Sequence, residues 1–432
     1  MSVKNFVEEL QWRGMIHTMM PDTEKHLMEE MRAAYIGFDP TADSLHIGNL
    51  VPIMLLAFYQ RCGHKPVALV GGATGMIGDP SGKSSERNLL DEATLNHNQE
   101  CVRLQLSQFL DFSSGAKNEA LMVNNYDWMK EFSFLDFIRD IGKHITVNYM
   151  MAKDSVKNRI AGEDTEGMSF TEFTYQLVQG YDFLHLFQNY NCSLQMGGSD
   201  QWGNITTGTE LIRRIGGGKG YALTCPLITK SDGSKFGKSE GGNIWLDAKR
   251  TSPYKFYQYW LNSSDADAEK YIKIFTFLDQ ETIESILSEH QGQEHKKSLQ
   301  KRLAKEVTLT VHGEEAFARA EEASNILFSK TAAEDIKNVS EEMFLSIFEG
   351  VTQAELPRSE FVSGLDIIGA LAEKTGFLKS NGEARRALKE NSVSVNFVKV
   401  QEGFLIQESD LINDRFILVQ RGKKNKFIIK AV

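Results

Sequence analysis

Cysteine is scarce in this chain of 432 residues, which contains only Cys62, Cys101, Cys192 and Cys225. No two of them stand in Cys-x-x-Cys spacing, which argues against a zinc site or a disulfide framework. Scattered thiols of this kind are typical of a cytoplasmic protein that keeps them reduced and buried. We therefore expect a cytoplasmic protein, and we assign no metal ligands.

Long apolar runs are also missing from the sequence. The longest, such as PIMLLAF at residues 52–58, fall far short of the roughly 20 residues that span a bilayer. The first residues, MSVKNFVEELQWRG, include acidic side chains and no apolar segment, so we expect neither a secretory signal nor a membrane partner. Proline is rare, with 8 residues beside 35 glycines, which argues against a low-complexity or disordered chain.

Positive charge is in deficit overall but is unevenly distributed. The net charge is −10, which by itself argues weakly against a nucleic-acid partner. Residues 365–432 nevertheless carry 12 Lys and Arg against 8 Asp and Glu, a balance of +4 that leaves −14 on residues 1–364. A basic terminal domain on an acidic body suggests a local contact with nucleic acid, and a solvated lysine-rich terminus explains the same count.

The periodicity of apolar residues predicts three regions that differ in secondary structure. Helical and strand-like segments alternate in the first half, including one helix predicted over residues 132–151. This alternation indicates an α/β fold with a parallel sheet (1–250). Amphipathic helices begin at TSPYKFYQYWLN and predict a separate α-helical domain (251–351). The polar stretch that follows is predicted to be a linker (352–364). After it, a helix pattern followed by strand patterns predicts a small α+β module (365–432).

The stretch DPTADSLHIGNL, residues 39–50, contains the first candidate site. A turn precedes an apolar run, and Asp43 or Ser44 is placed to cap a helix that starts there. His46 and Asn49 would then lie one turn apart near the positive end of the helix, with Gly48 between them. Such an arrangement suits a phosphate-bearing ligand pressed against the backbone. The alternative is a surface helix with an incidental histidine.

The glycine-rich segment LVGGATGMIGDPSGKS imitates a phosphate-binding P-loop but lacks its spacing. The P-loop pattern requires glycine where this chain has Ile77. What remains is a strand that ends in a glycine turn, with Asp79 near the carboxyl end of the sheet, where open α/β sheets bind ligands. Asp79 could bind an ammonium group, and Lys83 and Arg87 could reach phosphates. A turn with solvated charges is the alternative.

The segment SFTEFTYQLVQGYDFLHLF predicts a helix with one polar stripe, formed by Tyr175, Gln179 and Asp182. A phenol, an amide and a carboxylate in line can hold an ammonium group at one end of a ligand and a hydroxyl at the other; a stripe that faces water is the alternative. Gly180 in mid-helix lowers helix stability, so we expect close packing or ligand approach there.

Two further loops carry polar groups. QMGGSDQWGN places Gln195, Asp200 and Gln201 around a glycine turn, where they could bind the hydroxyls of a ribose. SDGSKFGKSEGG places Lys235 and Lys238 in a glycine-flanked loop, where two ammonium groups suit a charge that appears only transiently. A solvated lysine loop is the alternative for the second segment.

Together these segments resemble the class I aminoacyl-tRNA synthetases, and within them the bacterial-type tyrosyl enzymes. HIGN at residues 46–49 stands where the family has His-Ile-Gly-His, and KFGKS at residues 235–239 where it has Lys-Met-Ser-Lys-Ser. The tyrosine-specific YxxxQxxD and GGSDQWGN patterns match in order and spacing. The terminal SNGEARRALKENSVSVN is similar to an RNA-binding module of a small-subunit ribosomal protein.

The resemblance implies a Rossmann-like catalytic domain with a connective insertion at about 132–169, an α-helical anticodon-binding domain and a small RNA-binding domain. It implies that tyrosine and ATP, entering with Mg²⁺ and no tightly bound cofactor, form tyrosyl-adenylate and pyrophosphate. Tyrosine then passes to the 3′ end of tRNA(Tyr), and the enzyme supplies positioning and charge stabilisation without a covalent nucleophile. A cytoplasmic homodimer assembled through the insertion is expected.

By the same resemblance, the site residues fall into three groups. The catalytic group comprises Thr41, His46, Asn49, Lys83, Arg87, Lys235 and Lys238. All of them would act on the phosphates except Asn49, which would donate to the ribose. Tyrosine would be bound by Tyr35 and Asp182 at its hydroxyl, by Asp79, Tyr175 and Gln179 at its ammonium group, and by Gln195 nearby. ATP would contact Gly37, Asp39, His46, Gly48, Asn49, Asp200, Gln201, Lys235 and Lys238. Asn49 departs from the second histidine of the family motif, and we expect its amide to serve as the donor.

Three rivals stay open from the sequence. The sister tryptophanyl enzymes share the sheet and both phosphate motifs, although Tyr35 with Asp182 favours a phenol over an indole. A small-molecule adenylyltransferase would need neither the helical nor the RNA-binding region. A synthetase-derived RNA-binding protein would not need the lysine loop.

Overall fold

The computed structural model describes residues 4–81, 91–161, 167–234, 236–239, 242–329, 331–422 and 425–432. The chain divides into two compact units, one formed by Met1–Arg250 and Trp260–Val311 and the other by Thr251–Tyr259 and His312–Val432. Among the described helices, none combines the length and apolar composition that a bilayer span requires. Cys62, Cys192 and Cys225 are buried thiols, and Cys101 is partly exposed.

A six-stranded sheet forms the centre of the first unit. Its strands are β1 Thr18–Met19, β2 Ala33–Phe38, β3 Lys65–Val70, β4 Leu121–Asn124, β5 Cys192–Gly198 and β6 Tyr221–Cys225. The order is β1-β6-β5-β2-β3-β4, and only β1 is antiparallel to its neighbour. The predicted parallel α/β sheet is therefore confirmed. The chain runs outward in one direction from β2 to β4 and then crosses to β5, which creates a topological switch point beside β2, where such sheets bind ligands.

Helices connect these strands and flank the sheet. They are α1 Phe6–Trp12, α2 Thr23–Glu29, α3 Leu50–Arg61, α4 Glu92–Leu106, α5 Tyr126–Met129, α6 Phe134–Asp140, α7 Val147–Met151, α8 Asp154–Ala161, α9 Phe170–Tyr190 and α10 Trp202–Leu211. The predicted helix α3 is confirmed, and most of its residues are buried. The single helix predicted over residues 132–151 is wrong: a 3₁₀ turn separates α6 from α7. Gly142 disfavours a continuous helix there, and Thr146 caps the N-terminus of α7 with its side chain.

The helix that carries the polar stripe, α9, begins at a capping box. The Ser169 side chain accepts a hydrogen bond from the backbone of Glu172, and the Glu172 side chain reaches back to the backbone of Ser169. At Gly180 an added Cβ would lie 3.0 Å from Thr207 Cγ2 on α10. Close packing of two helices, rather than approach of a ligand, therefore explains this glycine.

The short strands β7 Lys238–Ser239 and β8 Gly242–Asn243 form a hairpin, and four helical segments follow. These are α11 Pro253–Leu261, α12 Asp265–Phe275, α13 Gln280–His290 and α14 Ser298–Phe328, the last interrupted at Gly313. The helices match the prediction, but the compact-unit boundary differs from the one predicted at Thr251, because Trp260–Val311 belongs to the sheet's unit. One reason is Arg13, a buried side chain that donates to the carbonyl oxygens of Lys273, in the last turn of α12, and of Thr276 and Leu278, which follow it.

The second unit contains a five-stranded sheet in the order β12-β11-β14-β15-β9 and a two-stranded pair β10-β13. The strands are β9 Gln353–Leu356, β10 Leu365–Asp366, β11 Val393–Val395, β12 Val398–Lys399, β13 Leu405–Ile406, β14 Phe416–Arg421 and β15 Asn425–Ala431. Its short helices are α15 Ala332–Asp335, α16 Glu341–Ile347, α17 Ser359–Val362, α18 Ile367–Leu371 and α19 Asn381–Lys389. The predicted helix followed by strands is confirmed by α19 and β11.

The segment 352–364, predicted as a linker, is part of this folded unit. Strand β9 pairs in parallel with β15, with Ala354 opposite Ile429. Successive side chains of β14 point to opposite faces of the sheet, and both faces are covered. Ile417 packs with the core around α18 and α19, and Leu418 packs with Phe344 of α16 on the other face. The polar composition of 352–364 reflects an edge strand, whose exposed side chains need not be apolar.

Candidate active site

The His46 turn differs from the predicted helix start. The N-cap of a 3₁₀ turn, Ile47–Asn49, is His46 itself, rather than Asp43 or Ser44, and α3 follows directly. The backbone N–H of Gly48 donates to His46 Nδ1 at 3.0 Å, and Asn49 Oδ1 accepts from the backbone N–H of His46 at 3.0 Å. Because Nδ1 acts as an acceptor, the neutral ring carries its hydrogen on Nε2. An added Cβ at Gly48 would lie 2.7 Å from His46 Cε1, which explains the glycine.

A cavity of about 930 Å³ opens between the ends of β2 and β5 and the His46 turn. Every predicted site residue whose side chain the structure describes lines it, fourteen in all: Tyr35, Gly37, Asp39, Thr41, His46, Gly48, Asn49, Asp79, Tyr175, Gln179, Asp182, Gln195, Asp200 and Gln201. The predicted Lys83, Arg87 and Lys235 lie outside the described residues. Lys238 is described only by its backbone, in β7. The structure therefore brings the motifs of the first half together in one site.

Two polar groups mark the deep end of the cavity. Tyr35 on β2 is 1% exposed, and its hydroxyl has no hydrogen-bond partner among the described residues. Burial, and then the nearby Asp182, raise the pKa of the Tyr35 hydroxyl well above its ordinary value. Burial also raises the pKa of Asp182 to about 7, although two hydrogen bonds act in the opposite direction. A buried phenol and a buried carboxylate that lies near enough to raise the phenol's pKa are suited to bind one hydroxyl group.

The donors that hold Asp182 were not found from the sequence. Asn125 Nδ2 donates to Asp182 Oδ2, and Trp128 Nε1 donates to Asp182 Oδ1, both at 2.9 Å. Both residues follow the carboxyl end of β4, in the segment NNYDWM. Their position after a parallel strand is a signal that sequence reasoning could have used, because the carboxyl ends of such strands meet at one edge.

A second group of hydrogen bonds links β2 to α9. Tyr175 Oη donates to Asp39 Oδ2 at 2.9 Å, and Thr74 Oγ1 donates to Asp39 Oδ1 at 2.7 Å. Asn125 Nδ2 in turn donates to Thr74 Oγ1 at 3.1 Å. An added Cβ at Gly71 would lie 2.2 Å from Asp39 Oδ1, so the first glycine after β3 allows this carboxylate to approach. This network fixes the orientation of the Tyr175 phenol.

A third group surrounds Asp79. Gln201 Nε2 donates to Asp79 Oδ2 at 2.7 Å, and the backbone N–H of Ser81 donates to Asp79 Oδ1 at 2.9 Å. Asn204, another residue that the sequence did not single out, donates to Ser81 Oγ at 3.2 Å. Burial, and then the charge of Asp79, raise the pKa of Asp200. The cluster concentrates negative charge at one wall of the cavity, where it can attract an ammonium group.

Two buried acceptors next to this cluster lack partners among the described residues. They are the side-chain oxygens Oε1 of Gln179 and Gln195, and both residues line the cavity. A buried carbonyl oxygen without a donor costs free energy, so a ligand that supplies N–H or O–H groups would be stabilised here. Within the described residues, no group of three or more His, Cys, Asp or Glu side chains could hold a metal ion.

Comparison with known proteins assigns this chain to a family. The family model for class I tRNA synthetases (W and Y) matches residues 28–329, and that for the SYY-like C-terminal domain of tyrosine–tRNA ligases matches residues 344–429. The chain is 64% identical to the tyrosine–tRNA ligase of Flavobacterium johnsoniae over the whole of both chains. It is 61% identical to that of Bacteroides fragilis over 99% of this chain and 100% of the relative.

A solved structure agrees with these sequence matches. The C-terminally truncated mitochondrial tyrosyl-tRNA synthetase of Aspergillus nidulans superposes with a TM-score of 0.67 at 32% identity, covering 75% of this chain and 94% of that one. The motifs, the sheet topology and the near-complete coverage lead to one conclusion. This chain belongs to the tyrosine–tRNA ligases of the class I tRNA synthetase family.

Proposed function

We propose that this ATP-dependent tyrosine–tRNA ligase binds the phenol of tyrosine between Tyr35 and Asp182. The observation that carries the proposal is the buried Tyr35 hydroxyl, which has no partner among the described residues and lies close enough to Asp182 for the carboxylate to raise its pKa. Ionised Asp182 accepts the substrate O–H, while Tyr35 donates to the same oxygen. An indole or a benzyl side chain would leave these buried groups unpaired, which argues against tryptophan and phenylalanine.

The ammonium group of tyrosine would lie near Asp79, Tyr175 and Gln179, with Gln195 beside the substrate. Support comes from the negative charge of Asp79 and from the unpartnered oxygens of the two glutamines. Asp39 accepts from Tyr175 and so holds its phenol in place. These groups set the orientation of the tyrosine carboxylate, which must point toward the ATP.

ATP, entering as its magnesium complex, would place its phosphates along the His46 turn. Nε2–H of His46 and the Thr41 hydroxyl are the donors on this side, and Gly48, without a side chain, lets a phosphate approach the turn. The Asn49 Nδ2 group donates to the ribose. Gly37, Asp39, Asp200 and Gln201 would lie against the nucleoside. Gly37 lines the cavity without a side chain, so a ribose can approach the β2 backbone there.

The chemistry we propose is direct displacement without an enzyme nucleophile. The tyrosine carboxylate oxygen attacks the α-phosphorus, the bond to the bridging oxygen breaks, and pyrophosphate leaves with the electron pair. Lys235, Lys238, Lys83 and Arg87 would stabilise the charge that develops on the departing group. A terminal hydroxyl of tRNA(Tyr) then attacks the tyrosyl carbonyl, and AMP leaves.

The experiment that tests this assignment is tyrosine-dependent exchange of labelled pyrophosphate into ATP. Lys238→Ala is expected to slow adenylate formation by roughly 10²-fold or more while tyrosine affinity stays nearly intact, because the lysine acts on the transition state. Tyr35→Phe is expected to weaken tyrosine binding instead. Lys219→Ala, which removes an exposed lysine paired with Asp22, is the control. A Lys238→Ala variant that chiefly loses tyrosine affinity would contradict the assignment.

Larger-scale features belong to the same proposal. We assign tRNA binding to the helical segment that follows Thr251 and to the basic module at 365–432. We also propose a cytoplasmic homodimer that assembles through the insertion at about 132–169. Apolar side chains exposed on the insertion and at the start of α9 support this interface: Phe134 at 65%, Leu135 at 75%, Val147 at 64%, Ile160 at 53% and Phe170 at 65%.

A further inference from the structure

The chain that leaves the lysine loop lies directly beside the His46 turn. The backbone N–H of Ile47 donates to Ile244 O at 2.9 Å, and that of Leu246 donates to Leu45 O at 2.8 Å. These two hydrogen bonds form an isolated antiparallel bridge in which Trp245 stands opposite His46. The position of Trp245 along the turn is therefore fixed by backbone geometry.

The two side chains are also in contact. The rings of His46 and Trp245 have centroids 5.9 Å apart and an interplanar angle of 62°, an edge-on arrangement. Edge-on aromatic pairs are directional, so the indole restricts rotation of the imidazole. Gly48 N–H restricts the same imidazole at Nδ1. The imidazole is thus held by a hydrogen bond at one nitrogen and by an aromatic contact.

An ion pair holds the indole in turn. The guanidinium carbon of Arg250 lies 3.9 Å from the Trp245 ring centroid, and Arg250 Nη1 donates to Asp43 Oδ1 at 2.7 Å. Asp43 precedes His46 by three residues, so the contacts close a ring: Asp43 to Arg250, Arg250 to Trp245, Trp245 to His46. We call these three supporting residues the indole clamp. An exposed ion pair contributes little stability by itself, but here it sets the position of a planar group over an aromatic face.

We propose that the indole clamp positions His46 for the ATP-dependent step, with Trp245 as the residue that acts on the imidazole and with Arg250 and Asp43 acting through Trp245. The inference rests on the proposed role of His46 at the phosphates. Trp245 and Arg250 lie outside the motifs from which the catalytic group was derived, and Asp43 was named in the His46 segment only as a candidate helix cap. Displacement of a hydrogen-bond donor by even about 1 Å can cost much of its contribution to catalysis.

Steady-state pyrophosphate exchange on full-length variants tests the inference. Trp245→Ala is expected to lower kcat/KM for ATP by about 10-fold, the order of one lost aromatic contact plus imperfect alignment, while KM for tyrosine and the thermal midpoint stay unchanged. Trp245→Phe retains a ring and is expected to recover most of the loss. Arg250→Ala and Asp43→Asn are expected to give smaller losses of the same kind, and Lys249→Ala, one residue from Arg250, none.

A double-mutant cycle separates action through the indole from direct contact with ATP. If Arg250 acts through Trp245, Arg250→Ala adds no further loss to Trp245→Ala. Full additivity of the two losses, or a Trp245→Ala variant with unchanged ATP parameters, would overturn the inference. A Trp245→Ala variant that loses tyrosine affinity to the same extent would overturn it too, because general disturbance of the site would then explain the effect.

His46→Ala distinguishes failure of this inference from failure of the proposed function. If His46→Ala impairs use of ATP and Trp245→Ala does not, the indole clamp alone is refuted. If His46→Ala also leaves ATP parameters unchanged, the proposed role of His46 fails, and the indole clamp inference fails with it.

Discussion

Burial makes the polar residues of the candidate site depend on one another for hydrogen-bond partners. Asp182 lies in a region from which water is excluded, so its negative charge depends on the N–H groups of Asn125 and Trp128. The same burial leaves the Tyr35 hydroxyl without a partner among the described residues. In the proposed binding mode, one substrate hydroxyl would satisfy both groups at once, and selectivity for a phenol would follow from this geometry.

Titration of Asp182 gives a prediction at this scale. Its pKa is raised to about 7 in the folded protein, whereas an aspartate in an unfolded chain titrates near pH 4. The folded state therefore retains a proton that the unfolded state has released, so the contribution to stability is complete below about pH 4 and is lost as the pH rises through about 7. Over this window the free energy of unfolding of the wild type should fall relative to Asp182→Asn by an amount on the order of 4 kcal/mol.

Chemical denaturation between pH 4 and pH 8, without tyrosine, measures this difference. The Asn variant does not titrate at position 182, so the contributions of the other titratable groups cancel when the free energies of unfolding of the two proteins are subtracted. A difference between the two proteins that stays constant across the pH range would show that Asp182 does not titrate there.

At the scale of elements, α9 determines the site because it carries Tyr175, Gln179 and Asp182 on one face. Its N-terminus is fixed by a buried ion pair in which Arg159 of α8 donates to both carboxylate oxygens of Glu172, at 3.0 and 2.9 Å. Both side chains are 3% exposed. The pair connects the insertion, which ends near Ser169, to the helix that carries the proposed tyrosine-binding side chains.

Breaking this pair should destabilise the protein strongly. Glu172→Gln preserves volume but leaves the Arg159 charge buried without a carboxylate, and we expect a loss of about 3–5 kcal/mol in the free energy of unfolding. The matched control is Glu100→Gln, which breaks an exposed pair with Arg103 whose side chains are 50% and 55% exposed and should change the free energy of unfolding much less, because water and salt screen exposed charges. Urea unfolding compares the two variants, and equal losses would contradict the structural role of the buried pair.

At the scale of the whole molecule, the exposed apolar side chains of the insertion require an explanation. Phe134 and Leu135 are adjacent and 65% and 75% exposed on α6. Contiguous exposed apolar side chains mark interaction surfaces, and a second copy of the chain would bury them symmetrically.

We therefore expect a particle of about twice 48.7 kDa in light scattering after size exclusion. Leu135→Asp should shift the equilibrium toward the monomer, because an interface cannot bury an unpaired carboxylate without a large cost. Leu104→Asp, at a leucine 53% exposed on α4, is the control outside the insertion. A wild-type chain that is monomeric at micromolar concentration would refute the homodimer.

The C-terminal module gives a separate prediction about tRNA. Arg386 and Lys389 are exposed on α19, and their combined substitution by Ala should weaken tRNA binding and reduce its salt dependence while pyrophosphate exchange stays unchanged. The control removes two other cations of the same module, Lys374 and Lys430, which are already paired with Glu360 and Glu355 at 2.7 Å. Equal loss of tRNA affinity in the two double variants would show that net charge, rather than α19, is responsible.

The sequence by itself determined the parallel sheet, the helices α3, α9 and α19, and the side chains that line the cavity. These follow from local causes, namely hydrophobic periodicity, glycine turns and the rule that parallel strands meet at their carboxyl ends. It failed where local patterns were ambiguous: the helix predicted over 132–151 is broken near Gly142, and the predicted linker contains β9, because an edge strand exposes polar side chains as a linker does.

Only the tertiary structure decided which groups support the site. Asn125 and Trp128 reach Asp182 from more than 50 residues away. Thr74, after β3, donates to Asp39 after the neighbouring strand β2, and Trp245 meets His46 through a backbone bridge. None of these pairings can be recognised from a periodic pattern in the sequence. A contact between distant segments depends on how the elements pack and not on the spacing of residues in the chain. Short motifs therefore supply the functional side chains, whereas contacts that form only when the chain folds fix the orientation of those side chains.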